Sequence, residues 1–252
     1  TGQPVPILGG ARLTGKVGKN SIAVLDVQTD SAFGKPGDNF FVSRYSRDVL
    51  RRSRIGAIFI NKESVDGSQH FNRTMGVDGN FSLGNSFQVS SYVARTATNP
   101  DAPWLGGRPI GEGQDLAFYG RVAYRDPKWN VWVNYLDAQE NFNPEAGFLQ
   151  RTGGHRTTKA YFGPTPRPKK GNVKLFEPMY VLTYTTDQTN RLVNRLHHLM
   201  LGTTLRNDTF INVIYQKHMD VLDLPFNIRP NVTIPIGAYN MDEWMFTFNT
   251  SP

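Results

Sequence analysis

The chain of 252 residues contains no cysteine. Disulfide frameworks and thiolate metal sites are therefore excluded. It holds no run of about 18 apolar residues, so no transmembrane helix is expected. No secretory leader opens it. Thr1-Gly2-Gln3-Pro4 reads as a start inside a longer polypeptide or after processing. Apolar residues reach only 38%, and a helical bundle would need more Leu and Ala than this chain carries. No internal repeat or low-complexity tract appears. The His-Glu-x-x-His pattern of zinc hydrolases and the Gly-x-Ser-x-Gly elbow of serine hydrolases are both missing.

Alternation is what the sequence does contain. In Arg73–Leu83 the apolar residues Met75, Val77, Phe81 and Leu83 share one parity, and Thr74, Gly76, Asp78, Asn80 and Ser82 share the other. A strand sends successive side chains to opposite faces, so this stretch builds one apolar and one polar face. Leu116, Phe118, Val122 and Tyr124 oppose Tyr119, Arg121 and Arg125 in the same way, and Trp244, Phe246 and Phe248 oppose Glu243, Thr247 and Asn249. Aromatics make up 12% of the chain, which concentrates apolar area at strand positions, while 24 Gly and 16 Pro supply turns.

Strands are expected near 11–17, 20–30, 38–47, 53–63, 72–84, 86–98, 114–126, 129–138, 156–163, 173–187, 191–206, 209–219 and 240–249. Leu192, Leu196 and Leu199 have helical spacing, but Gly202-Thr203-Thr204-Leu205 favours a strand over 191–206. Many of these segments match the roughly 9–11 residues that a tilted strand needs to cross a bilayer. Tight turns are expected at Val17–Asn20, Leu83–Ser86, Arg125–Lys128 and Arg206–Asp208. Longer connections occupy 31–38, 64–71, 99–113, 139–155 and 220–239. Short turns at one end and long loops at the other, with aromatics near strand ends, suit an antiparallel transmembrane β-barrel. A soluble β-sandwich shares the alternation, because periodicity does not identify the solvent.

Local motifs add a resemblance. Ile7–Gly18, Val27-Gln28-Thr29, Arg47–Ser53, Gly76-Val77-Asp78, Asn141–Phe148 and Ile234–Tyr239 occur in order along most of the chain. They resemble a bacterial family of uncharacterised proteins that joins a module similar to family-9 carbohydrate-binding modules to a C-terminal outer-membrane β-barrel region. The resemblance implies a barrel segment in the bacterial outer membrane and supplies no established activity. It also implies a binding module before Thr1 and further strands after Pro252. The odd number of strands expected here, with one at each end of the chain, agrees with an incomplete barrel wall.

On the barrel reading, Thr74, Asp78, Asn80, Arg121 and Arg125 face the lumen, and Met75, Val77, Phe81, Leu83, Phe118 and Val122 face lipid. Asn141, Phe142, Asn143, Glu145 and Phe148 belong to an ordered loop folded back on the barrel, with Phe142 and Phe148 as its anchors. The protein is then a non-catalytic pore or an anchor for a surface glycan-related module. Its partners are membrane lipid, glycans or small anionic solutes, and other chains of an outer-membrane complex.

Two alternatives stay open. Trp104, Trp129, Trp132 and Tyr135 could stack on sugars in a carbohydrate-binding β-domain. Glu140, Glu145 and Asp137 could serve a glycan-directed hydrolase, since paired carboxylates are what that chemistry needs; otherwise Glu145 pairs with a cation such as Arg151. Other candidates fall away. Gly10–Val17 approaches a phosphate-binding loop, but Val17 stands where Ser or Thr must hold magnesium, and a strand follows. His197 and His198 are adjacent, so on a strand they cannot share one metal. No metal or cofactor is expected. The net charge of +7 is scattered along the chain, with its densest runs in turns, so no nucleic-acid partner is expected either.

Overall fold

A computed structural model describes residues 4–67, 70–99, 113–149, 151 and 153–250. Among these residues the structure is all β, with no helix. The strands are β1 (Ile7–Val17), β2 (Asn20–Thr29), β3 (Asp38–Leu50), β4 (Ser53–Ser64), β5 (Phe71–Leu83), β6 (Phe87–Thr98), β7 (Leu116–Arg125), β8 (Trp129–Ala138), β9 (His155–Pro164), β10 (Val173–Thr186), β11 (Leu192–Leu205), β12 (Phe210–Leu222), β13 (Phe226–Arg229), β14 (Val232–Ile234) and β15 (Gly237–Asn249). One 13-stranded sheet runs in chain order from β1 to β12 and ends on β15, and among the described residues β1 does not pair with β15.

Each strand expected from the sequence is present. The segment with leucines at helical spacing is β11, paired on both sides across its length. The exception to the expected loops is 220–239, which folds β13 and β14 into a hairpin of its own. Three prolines, Pro225, Pro230 and Pro235, bracket those short strands and hide them from an alternation count. Connections differ in length between the two ends of the meander, except that 165–172 is longer than the others at the tight end and 187–191 is a short turn at the long end. Those at 18–19, 51–52, 84–86, 126–128 and 206–209 are tight, and those at 30–37, 99–115, 139–154 and 223–236 are long. Gly18 closes the first hairpin at φ 58, a conformation a side chain would strain.

The chain divides into two compact units. The first holds 1–82, 89–120 and 137–155; the second holds 83–88, 121–136 and 156–252.

In the first unit, β2 to β5 keep one register except for an irregularity between Asp48 and Leu50 at the end of the β3–β4 pairing. Ile22, Tyr45, Ala57 and Val77 form one rung, with Phe59 opposite Met75 on the next rung of the same face. The opposite face carries the buried side chains Ser46, Ser64, Asn72, Thr74 and Thr96. Met75 and Val77 are exposed at 50% and 61%, whereas Thr74 is exposed at 6%. This polarity is the reverse of a soluble core, where the covered face is apolar. Ile58 and Ile60 sit among the polar residues of the covered face, so that face is mixed rather than wholly hydrophilic. Aromatic rings cover strand glycines on the exposed face. A Cβ on Gly79 would come within 2.7 Å of the Phe81 ring, and one on Gly120 within 3.4 Å of Phe118. Such cover restores side-chain packing where glycine leaves a gap.

The second unit repeats the polarity. Its buried residues include Thr185, Thr209 and Asn212, while Leu199, Leu201, Phe246 and Phe248 lie exposed. Phe162, Tyr180, Leu199, Tyr215 and Trp244 form a single rung across five strands. Trp129 packs beside Phe162 at 5.6 Å, and Tyr215 beside Trp244 at 4.7 Å. The apolar face thus has an aromatic row. At Lys217 and Asp242, on the adjoining same-face rung, it turns polar.

The turn between β10 and β11 is held by one carboxylate. Asp187 accepts from Thr189 N, Thr189 Oγ1, Arg191 N and Arg191 Nε. Arg191 also makes a bidentate pair with Asp223 at 2.9 and 3.0 Å. The Arg191 and Thr189 hydrogen bonds hold the Asp187 carboxyl at about 2, down from 3.8. A carboxyl depressed on folding stabilises above its unfolded value and loses that contribution as pH falls through its folded value. We therefore expect wild type to protect the Thr189 amide better than Asp187→Asn at pH about 5, and the two to converge near pH 2. Hydrogen exchange by NMR reads this, and a difference equal at both pH values would contradict it.

Candidate functional site

The polar face of the first unit carries a loop folded onto it. Residues 139–149 leave β8 and turn back across the sheet. Phe142 is exposed at only 7% and packs with Ala94, Ala117, Ala138 and Leu149. Three alanines at polar-face positions of β6, β7 and β8 leave the space that the ring fills. Asparagines secure the rest. Asn141 Nδ2 donates to Gly113 O at 2.7 Å, and Asn143 N donates to Thr96 Oγ1 at 2.9 Å. Asn72 Nδ2 donates to Asn143 O at 2.7 Å, and Glu145 N donates back to Asn72 Oδ1 at 3.2 Å. Buried amides of this kind satisfy backbone groups that would otherwise lose water without a replacement partner.

Glu145 completes the attachment. Its carboxylate accepts from Lys62 Nζ at 2.9 Å, and Lys62 also lies 3.3 Å from Asp38. His70 Nε2 stands 3.6 Å from the same Glu145 oxygen. Glu145 thus faces Lys62, a cation on a strand far upstream. The same carboxylate accepts from Asn143 Nδ2 at 3.2 Å. Phe148, expected as a second anchor, is 88% exposed. The alanine-lined space is filled by Phe142.

Further along the same face, Arg44 Nη1 lies 2.5 Å from Asp78 Oδ2. The guanidinium passes over Gly56, where a Cβ would come within 2.5 Å of it. Tyr92 and Tyr119 stack at 5.3 Å. These four residues and Asn80 border a cavity of about 330 Å³. On the opposite, apolar face, Tyr45, Ile55, Ala57, Val77, Gly79 and Val93 line a groove of about 460 Å³.

In the second unit the polar face carries two chains of side chains. Arg121 lies over Trp132 at 4.9 Å, and Trp132 stacks on Tyr161 at 5.4 Å, 9° from parallel. Gln216 bridges His198 at 2.9 Å and His218 at 2.7 Å. His197 points to the other face and meets the Tyr180 hydroxyl at 2.8 Å, so the adjacent histidines do part company. Among the described residues no cluster of potential ligands could hold a metal ion.

The other sequence candidates fall as follows. Asp78 and Arg121 lie on the polar faces of their units and are partly covered; Asn80 borders the cavity, and Arg125 is exposed. Leu83, Phe118 and Val122 are exposed like Met75 and Val77, and Phe81 is partly covered by its position over Gly79. The proposed sugar-stacking set does not share a face. Val133 and Tyr135 alternate with Trp132, so Tyr135 and Trp129 project away from it, and Trp104 is outside the described residues. Sequence reading missed Lys62 and Tyr92. Their strand parity was the available signal, since each shares a face with a residue that had been singled out.

No family model matches the chain, and no solved structure matches it. A stretch of 113 residues is 27% identical to the 26S proteasome non-ATPase regulatory subunit 3 homolog B of Arabidopsis thaliana. The probable 26S proteasome non-ATPase regulatory subunit 3 of Daucus carota is equally similar, at 27% over 113 residues. The stretch covers 44% of this chain and 22% of each plant protein, so the chain spans about a fifth of the length of the curated relatives it matches.

Asn72 is the residue on which the loop depends. Asn72→Ala leaves buried groups of Asn143 and Glu145 without partners, at a local cost of about 1–3 kcal/mol. We expect faster amide exchange and earlier proteolysis within 141–147, with the strands unaffected. Protection equal to wild type would show that Phe142 and Lys62 hold the loop without it.

Proposed function

We propose that this chain forms part of the wall of an outer-membrane β-barrel, with its apolar face against lipid and its polar face lining an aqueous lumen. The observation that supports this most is the reversed polarity. Large apolar side chains stand exposed on one face of each unit while Asn, Thr and Ser are buried on the other. A water-soluble sheet with that arrangement would expose apolar patches well beyond what soluble proteins tolerate. Lipid removes the cost. Long strands, mostly tight connections at one end with mostly long ones at the other, and an aromatic row support the same reading. So does the motif resemblance to the bacterial barrel family.

The role is non-catalytic: passage of small solutes, or membrane anchoring of a glycan-related module. Loop 139–149 then lies on the lumen side and narrows the passage. The plant matches name a proteasome subunit, and similarity over 22% of such a protein gives no reason to prefer an assembly role. If the apolar faces were instead covered by protein neighbours, the chain would be recovered from buffer in a stable complex without detergent.

Paired substitutions test the assignment. An Arg at mid-bilayer height on the lipid face costs roughly 2–4 kcal/mol, whereas a lumen substitution chiefly alters selectivity. Val77→Arg should therefore impair folding into liposomes far more than Asp78→Arg. Heat-dependent migration in detergent gels measures the folded fraction. Equal effects of the two substitutions, or solubility of wild type in buffer alone, would overturn the proposal.

A further inference from the structure

The charges on the two polar faces are handled differently. In the first unit two partly covered cations of the polar face have carboxylates: Asp78 for Arg44, and Asp38 with Glu145 for Lys62. In the second unit, Arg121 and Lys159 have no carboxylate within salt-bridge distance among the described residues. Arg121 is positioned by Trp132 instead, and its Nε is buried without a hydrogen-bond partner. Trp132 is in turn fixed by Tyr161. Lys159 shares the face of Tyr161, because it lies two positions away on β9, and its rung partner is the uncharged Thr183. On β10 the nearest carboxylate towards its start is Glu177, roughly 20 Å further along the strand. That exceeds a Debye length of about 8 Å at physiological salt. At the strand's other end, Asp187 is committed to Arg191.

An unpaired guanidinium with a buried, unsatisfied N–H is an unfavourable arrangement for a purely structural residue. The Nε is closed to solvent, so what the side chain leaves for a solute is a guanidinium charge that no described carboxylate cancels. Stacking on Trp132 holds the guanidinium plane without neutralising it, which a carboxylate would do. We infer that Arg121 and Lys159, aligned by Trp132 and Tyr161, form a binding site for small oxyanions, of the phosphate or carboxylate class. This deepens the barrel reading and rests on it for the site's access to water.

The test uses the full chain and inorganic pyrophosphate. Titration calorimetry in detergent measures binding without requiring a pore, and current through planar bilayers measures block and anion preference. Loss of one charge-assisted contact should weaken binding about tenfold in Arg121→Gln and in Lys159→Gln. Arg206→Gln, which changes an exposed turn residue bonded to backbone carbonyls, should bind like wild type. Arg121→Lys keeps the charge but not the planar stack, so it should bind at intermediate strength. Wild type should prefer anions over cations, and the Arg121→Gln Lys159→Gln double variant should lose that preference. Heat-modifiable migration identifies which variants are folded. Pyrophosphate binding that is absent in wild type, or equal in wild type and the folded Gln variants, would overturn the site. Binding with the expected variant pattern but no conductance would uphold the site and reject the pore.

Discussion

Strand parity is the constraint on which this structure depends. A pleated strand has two faces and no intermediate choice, so one residue of slip would exchange every apolar side chain with every polar one. Val77 would then take the place of Asp78 beside Arg44. The registers of β2 to β5, and of β9 to β12 with β15, avoid this over long stretches and shift only near strand ends, at Asp48–Leu50, Val173–Leu175 and Thr185–Thr186. The register is enforced from both sides. Buried Asn72 and Thr74 need partners on the polar face, and Phe81 needs Gly79 on the other.

That dependence also explains what was legible in the sequence. Period-two alternation located each strand of the main sheet, and it did so for β11 in spite of its helically spaced leucines. A strand of 14 residues flanked by two others outweighs local leucine spacing, because both neighbours supply its hydrogen bonds. Polar and apolar candidates on β5 were separable for the same reason. Alternation has nothing to say where runs are too short, and β14 covers only three residues. It is equally silent about partners. Lys62 and Glu145 lie 83 positions apart, and only the sheet brings them together. The loop's turn-forming Asn and Pro were visible, but the alanines that make room for Phe142 were not, since alanine on a strand signals nothing by itself. The grouping of Trp129, Trp132 and Tyr135 ignored parity and failed for that reason.

Loop 139–149 shows how polar attachment differs from core packing. One aromatic ring among alanines removes little apolar area from water. Most of the attachment comes from asparagine amides and one shared lysine. Each such contact contributes modestly when made and costs more when broken, because its partners are buried. A loop held this way has a defined position without a large hydrophobic commitment. The same economy suits a surface that must stay wet.

The contrast between interior charges follows from the same physics. A cation against a lumen can be neutralised by a neighbour or left for the solvent, and the two choices give different surfaces. Asp78 cancels the field of Arg44, and the adjoining cavity with its stacked tyrosines is close to neutral. Among the described residues no carboxylate does the same for Arg121 or Lys159, and for Arg121 stacking on Trp132 supplies the positioning that an ion pair would otherwise give. A change of Trp132 to a small residue would leave the charge in place while removing its alignment. In the oxyanion site we infer, that separates electrostatic attraction, which acts at a distance, from the hydrogen-bond geometry that only a held guanidinium provides.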